Sequence, residues 1–255
     1  MRLLLVFFIG VASSAFAGTT DDATPDARYL EYGKGFAPYT CRVMGVGKDG
    51  FPLLGTCTLI GDRWALTAAH VVVDMTRCHV MTEKRLHRVV RIWPHQDFDG
   101  SRLGWSDIAI VEAAEPWGLP WYPPLSAGDE EPGDVASIAG YGVTGRISQG
   151  WTRGDGELRA GTNRIVRFER SIIVCPIQRG GSPLPFGIAP GDSGGPLFVD
   201  GKLAGVNSFT MANQGPLRSK AGEESGHTRV SLFLDWVEAV TGERLEAKPA
   251  GVAAR

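Results

Sequence analysis

Gly191-Asp192-Ser193-Gly194-Gly195-Pro196 is the stretch that decides how this sequence is read. A serine stands among glycines, and glycine, lacking Cβ, lets the main chain turn sharply and come close to a ligand. Two complementary stretches lie upstream, Ser106-Asp107-Ile108-Ala109-Ile110 and Thr67-Ala68-Ala69-His70. A serine hydroxyl is almost never ionised, so as a nucleophile it needs a base, and the base needs an orienting partner. His70 suits the base, because imidazole accepts and returns a proton near neutral pH. Asp107 suits the orienter, holding the useful tautomer and stabilising the imidazolium. Singly, each has a plainer reading: a loop serine, a core histidine bonded to a carbonyl, an acid at a strand edge. The remaining histidines, His79, His87, His95 and His227, have no comparable context and read as surface or packed residues.

Outward from these stretches, composition bounds the architecture. The chain has 255 residues, with Gly 34 and Pro 16, which favours many turns and few long helices. That length suits one large all-β domain or two small lobes sharing a cleft. A net charge of -2 gives no electrostatic case for nucleic acid or an acidic membrane. Residues 1–17 read as a secretory signal: Arg2, an apolar run over 3–11, and Ala15-Phe16-Ala17 placing cleavage before Gly18. A secreted or periplasmic location follows. Residues 18–28 read as a leader or propeptide, with 21–28 polar and mobile, and residues 243–255 as a flexible tail. In an oxidising compartment the four cysteines, Cys41, Cys57, Cys78 and Cys175, are expected to pair, with three pairings open. Their spacing does not suit a metal site.

Strands are expected over 40–47 and 53–60 as a hairpin, then 65–67, 107–111, 135–141 and 164–174, with loose alternation over 87–92. One helical turn is expected at 70–74. Residues 197–199 and 203–209 flank Asp200-Gly201 as a second hairpin. Residues 232–240 have helical spacing, with Gly242 as the stop. The prolines at 116, 120, 123 and 124 suit either a crossing between two lobes, with the boundary near 115–125, or a long surface loop. Many short strands and one late helix argue for β-barrels rather than alternating strands and helices.

The order His70, Asp107, Ser193 resembles the chymotrypsin/trypsin family of serine proteases. The resemblance extends beyond these three. Residues 57–66 are similar to the strand leading to that family's histidine, and Ala204-Gly205-Val206-Asn207-Ser208-Phe209 to the strand that holds substrate. Thr228-Arg229-Val230-Ser231 and Asp235-Trp236-Val237 resemble the closing strand and C-terminal helix. The similarity runs over about 29–242, weakly between 117 and 185, and is nearest in character to the secreted bacterial members.

The resemblance implies two six-stranded antiparallel β-barrels with a C-terminal helix, and an endopeptidase acting through an acyl-enzyme on Ser193. It implies no cofactor, a protein or peptide substrate, and a monomer with no nucleic-acid or membrane partner. Gly191 and Ser193 would offer N–H groups to the oxyanion, worth about 3 to 4 kcal/mol per donor. Ser208 would support Asp107, which needs hydrogen bonds to stay ionised when buried. Asp192 would pair with a new N-terminus made by an activating cut. Arg28 stands where that cut would fall, but Tyr29-Leu30-Glu31-Tyr32 departs from the usual Ile-Val-Gly-Gly and Tyr29 is bulky for a buried terminus. The alternative is that Asp192 is served by another donor. The substrate pocket maps to Gly187, Phe209, Thr210 and Ser225. Gly187 stands where trypsin-like members carry an acid, so a basic side chain lacks a counter-ion. Thr210 replaces a glycine and narrows the entrance, and a small or medium uncharged residue before the scissile bond is expected. The Glu223-Glu224 pair could hold a basic side chain or form a solvated loop. Residues 191–195 also satisfy the G-x-S-x-G pattern of α/β-hydrolases, but that class needs its acid and histidine after the serine and a helix following it. A catalytically silent binding protein on the same scaffold is the remaining rival.

Overall fold

The computed structural model describes residues 18–212 and 215–245, and opens with a two-residue strand, β1 (Thr19–Thr20), and a helix, α1 (Asp26–Lys34). The expected signal segment, 1–17, lies outside the described residues. The stretch expected as a mobile leader is instead built into the fold. Arg159, 2% exposed, donates from Nε to Asp26 Oδ1 at 2.7 Å and from a terminal nitrogen to Asp155 Oδ1 at 2.8 Å. Tyr29 is fully buried, with its hydroxyl donating to the Pro185 carbonyl at 3.0 Å and accepting the Asp21 N–H at 2.9 Å. Tertiary partners therefore hold a segment whose own pattern is too polar to announce a helix.

The first lobe is a closed barrel. Its strands are β2 (Thr40–Gly47), β3 (Pro52–Leu59), β4 (Trp64–Thr67), β5 (Met75–Met81), β6 (Leu86–Pro94) and β7 (Ala109–Ala113), joined in the order β2-β3-β4-β7-β6-β5. A short helix, α2 (Ala69–Val72), follows β4. Strand β7 is an apolar run because both of its faces are covered, with Ile110 and Val111 fully buried. Val43, Leu59, Leu66 and Val80 fill the same core, each such side chain contributing about 1.5–3 kcal/mol by leaving water.

The second lobe contains β8 (Val135–Gly140), β9 (Thr144–Arg146), β10 (Gly150–Arg153), β11 (Arg159–Arg164), β12 (Arg167–Glu169), β13 (Ile172–Ile177), β14 (Phe186–Gly187), β15 (Pro196–Val199), β16 (Lys202–Met211) and β17 (Glu223–Arg229). Seven of these form one sheet in the order β11-β8-β15-β16-β17-β13-β12, whose edges do not close into a ladder. The second lobe is thus a half-barrel rather than six closed strands. A smaller sheet, β10-β9-β1-β14, takes its third strand from the start of the chain. The stretch 164–174, expected as one strand, is a hairpin, because Arg170 adopts φ 55 between β12 and β13. Asp200 and Gly201, at φ 48 and φ 76, make the tight turn joining β15 to β16.

Between the lobes, Leu125 bridges to Leu203. A 3-10 turn (Val230–Phe233) leads into α3 (Leu234–Thr241), which stops at Gly242 with φ 72 and buries Val237 in the first lobe's core. The tail expected to be flexible is described only to residue 245, where the Leu245 carbonyl accepts the Leu125 N–H at 2.9 Å. The expected disulfides are not formed in this structure, where all four cysteines are free and buried. Cys41 faces Cys57 across β2 and β3, while Cys175 lies in the other lobe. Burial pushes the Cys41 and Cys78 thiols up to about 12, so both are neutral.

Candidate active site

Strand β4 ends at Thr67 and the chain turns into α2, which presents His70 at the seam of the lobes with its side chain 42% exposed. Asp107 sits just before β7 and is 3% exposed. Its Oδ2 lies 2.7 Å from His70 Nδ1, and its Oδ1 accepts the His70 main-chain N–H at 2.9 Å. Ser208 Oγ donates to Asp107 Oδ2 at 2.5 Å, and Thr228 Oγ1 donates to the Asp107 carbonyl at 2.9 Å. Burial alone would raise the Asp107 pKa, but His70 and Ser208 outweigh it and the carboxyl is held below its ordinary value. An ionised Asp107 accepts at Nδ1, so His70 carries its proton there and leaves Nε2 as the acceptor.

The placement of Ser208 comes from an irregularity. Asn207 pairs with His227 and Phe209 with Gly226, leaving Ser208 without a cross-strand partner. This bulge turns the Ser208 hydroxyl out of the ladder and onto Asp107.

The turn carrying Ser193 is fixed from both lobes. Thr56, in β3, donates its N–H to the Ser193 carbonyl at 2.9 Å and its hydroxyl to the Gly191 carbonyl at 2.8 Å. Gly194, at φ +85, lies so close to the main chain before His70 that a Cβ there would stand 2.1 Å from Thr67 Oγ1 and 2.9 Å from the Ala68 nitrogen. That approach puts the serine turn against the histidine turn. The N–H groups of Asp192, Gly194 and Gly195 donate to the carbonyls of Ala189, Asn207 and Asp192. Among the described residues, those of Gly191 and Ser193 donate to no protein acceptor. The Ser193 side chain makes no hydrogen bond among the described residues.

Behind the turn lies Asp192, with no exposed surface. Its carboxylate accepts N–H groups of Gly18 at 2.9 Å, Gly142 at 2.7 Å and Ala189 at 2.8 Å. Burial dominates, and its pKa is pushed up to about 7 despite those donors and the more distant Arg159. Gly18 has φ +54, and a Cβ there would fall 2.1 Å from the Phe186 ring, so only glycine fits. Strand β1 continues the contact. Thr19 pairs with Gly187 and Gly145, and its hydroxyl donates to the Ser219 carbonyl at 2.6 Å. The segment 18–20 thus joins the loops around 145, 187 and 219 to the serine turn.

Of the expected pocket residues, Thr210 faces Ser225 across β16 and β17, and Phe209 packs on Gly226 beside them. Ser225 is fully buried and its hydroxyl bonds His227 Nε2 at 3.0 Å, so it turns inward rather than lining a wall. Gly187 lies against Thr19 and Ile177. The two glutamates form no solvated loop. Glu224 is clamped by Arg167 at 2.6 Å and 2.7 Å, and buried Glu223 accepts the Ser219 N–H at 2.7 Å.

Sequence reasoning missed three contributors. Thr56 had no signal beyond its place in a strand. Asn207 Nδ2 donates to the carbonyls of Asp192 and Ala139, at 3.2 Å and 3.1 Å, while its Oδ1 meets His227 Nδ1 at 2.8 Å. His227 is therefore a link in a buried chain behind the serine turn, and burial lowers its pKa to about 3, keeping it neutral. Its spacing from Ser225, at alternate positions of one strand, was the available hint.

A family profile described as Trypsin matches residues 33–237. Bovine duodenase-1 is 27% identical over 195 residues, covering 70% of this chain and 74% of that protein. Human kallikrein-11 is 27% identical over 267 residues, covering 93% of this chain and 86% of that protein. A solved HL collagenase superposes with a TM-score of 0.68 at 22% identity, covering 82% of this chain and 95% of the other. Neuropsin from mouse brain gives 0.65 at 19%, covering 80% and 94%. Relatives from cattle, human and the crab Leptuca pugilator do not support the expected bacterial character.

Proposed function

This chain belongs to the trypsin family and is a serine endopeptidase, and we propose that Ser193, His70 and Asp107 are its catalytic residues, working outside the cell. Ser193 Oγ attacks the substrate carbonyl while His70 Nε2 takes its proton. The tetrahedral oxyanion is stabilised by the uncommitted N–H groups of Gly191 and Ser193. His70 then protonates the leaving amine, and an activated water releases the acyl-enzyme with the same histidine as base. The observation that carries the reading is the Asp107 carboxylate bound by both His70 Nδ1 and Ser208 Oγ. A fluorophosphonate probe tests it. Wild type should be labelled at Ser193, and His70→Ala should lose the labelling; labelling that survives in His70→Ala overturns the assignment.

We further propose that residues 1–17 are removed as a secretory signal and that the working enzyme, a monomer needing no cofactor, starts at Gly18. A cut after Arg28 would sever α1, and the residue it exposes, Tyr29, is buried with its hydroxyl held by Pro185 and Asp21 rather than against Asp192. Release of Gly18 turns the N–H already on Asp192 into an ammonium, the missing counter-ion for a buried carboxylate. N-terminal sequencing of the active secreted protein should begin Gly-Thr-Thr; a start at Tyr29 sinks this. Gly187 supplies no charge and both nearby glutamates are engaged, which supports a small or medium uncharged residue before the scissile bond. Faster cleavage after Arg than after Ala or Val on a peptide panel contradicts it.

A further inference from the structure

Strand β16 has one open edge. Strand β15 ends where Pro196 meets Val206 and Asn207 is still bonded to Gly194 and Gly195, so beyond it residues 208–211 lie along β17 alone. An extended peptide adding to that edge as a further strand would start beside Ser208 and Asp107 and run past Phe209. The Phe209 ring is wedged between two glycines, since a Cβ on either Gly104 or Gly226 would come within 2.3 Å of it. Gly104 also lies against Ile172, so the loop before Asp107 and the turn between β12 and β13 meet at this ring.

Those two segments each supply a cation to one aromatic platform. The Arg102 guanidinium lies over the Trp105 ring at 3.3 Å from its centroid, and the Arg170 guanidinium lies over it at 5.2 Å. A guanidinium held against an aromatic ring keeps N–H groups available to bind an anion. Both arginines are exposed. Among the described residues neither is in an ion pair, whereas Arg159, Arg167 and Arg229 all are. The acids nearby are occupied. Asp99 accepts the N–H and hydroxyl of Ser101 and lies in the field of Arg102, and Glu169 is paired with Arg167.

We infer that the Arg102–Trp105–Arg170 stack is a subsite for an acidic side chain upstream of the scissile bond. This rests on the endopeptidase reading above. It names a substrate class for the same cleft: peptides with Asp or Glu a few residues before an uncharged cleavage residue. Trp105 holds both guanidinium groups beside its ring, so a carboxylate meets donors that have less rotamer freedom left to lose.

The test is a set of peptides alike at and beyond the cleavage residue, with Glu, Gln or Lys at the second, third or fourth place upstream. At one of those places Glu should exceed Gln by about five- to thirtyfold in kcat/KM, with Lys slowest. The ratio should shrink in 0.5 M salt (a ~tenfold rise over a low-salt buffer), because the contact is exposed. In Arg102→Gln/Arg170→Gln it should collapse to near one. Equal rates for Glu and Gln in wild type, or a Glu preference that survives the double substitution, overturns the subsite alone. No cleavage of any peptide together with no labelling at Ser193 overturns the endopeptidase reading, and the subsite with it.

Discussion

In the first lobe six strands close on one another, whereas the second lobe borrows a strand from the start of the chain. The first carries His70, the proposed base, and the second Ser193, the proposed nucleophile, and the contrast is sharpest at their buried carboxylates. Asp107 is bonded by an imidazole and a hydroxyl and is held below its ordinary pKa. Asp192 is met by N–H dipoles and is pushed up to about 7. The closed lobe's aspartate is completed by side chains of both lobes, His70 from its own and Ser208 and Thr228 from the other. The open lobe's depends on what is inserted into it.

The largest effect should come from the closed side. Asp107→Asn should lower kcat by about 10⁴ with little change in Tm, because the histidine loses the partner that sets its tautomer. Single-turnover kinetics beside thermal melts check this. Next, Gly18→Val, prepared so that residue 18 is the first, should lower kcat/KM by about 10²–10³ through a displaced serine turn. The bond between His70 and Asp107 should persist, visible as an unchanged downfield imidazole proton resonance. An equal loss of that signal would erase the distinction between the lobes.

A smaller effect is expected at Arg159→Met. It removes the guanidinium that ties α1 to β11, and the half-exposed carboxylates of Asp26 and Asp155 can return to water. Stability should fall by about 2 kcal/mol. Faster hydrogen exchange should be confined to residues 18–34 and β11, with the first lobe unaffected.

The smallest effect is in pH dependence. A carboxyl whose folded pKa lies above its unfolded value binds more protons in the folded state between the two. A chain still carrying residues before Gly18 should therefore lose stability as pH rises from about 4 to about 7, and no further above that. In the chain starting at Gly18, the ammonium favours the ionised form and the slope should flatten. Melts of both chains across that window decide the point.

Much of this was legible in the sequence. Strand β2 falls on the expected 40–47, the Asp200-Gly201 turn follows from its residues, and His70 and Ser208, both singled out in the sequence, are bonded to Asp107. What was not legible depended on distant partners. Helix α1 has few apolar positions and is stabilised by Arg159 and Pro185, more than a hundred residues away. Strand β1 is two residues long, too short for any periodicity. The even number of cysteines suggested pairing, but three sit in one lobe's core and the fourth in the other's. Ser225 turns inward because its alternate neighbour, His227, needed a donor, which a reading based on pocket position overlooked.

Thr56 grips the serine turn of the opposite lobe through both its main chain and its hydroxyl, and its carbonyl accepts the Thr67 hydroxyl at 2.8 Å. A latch of this kind ties the two lobes together at the serine turn. With the lobes joined there, a rigid inhibitor directed at Ser193 is expected to dock without waiting for closure, its residence time following the contacts it makes rather than an opening motion.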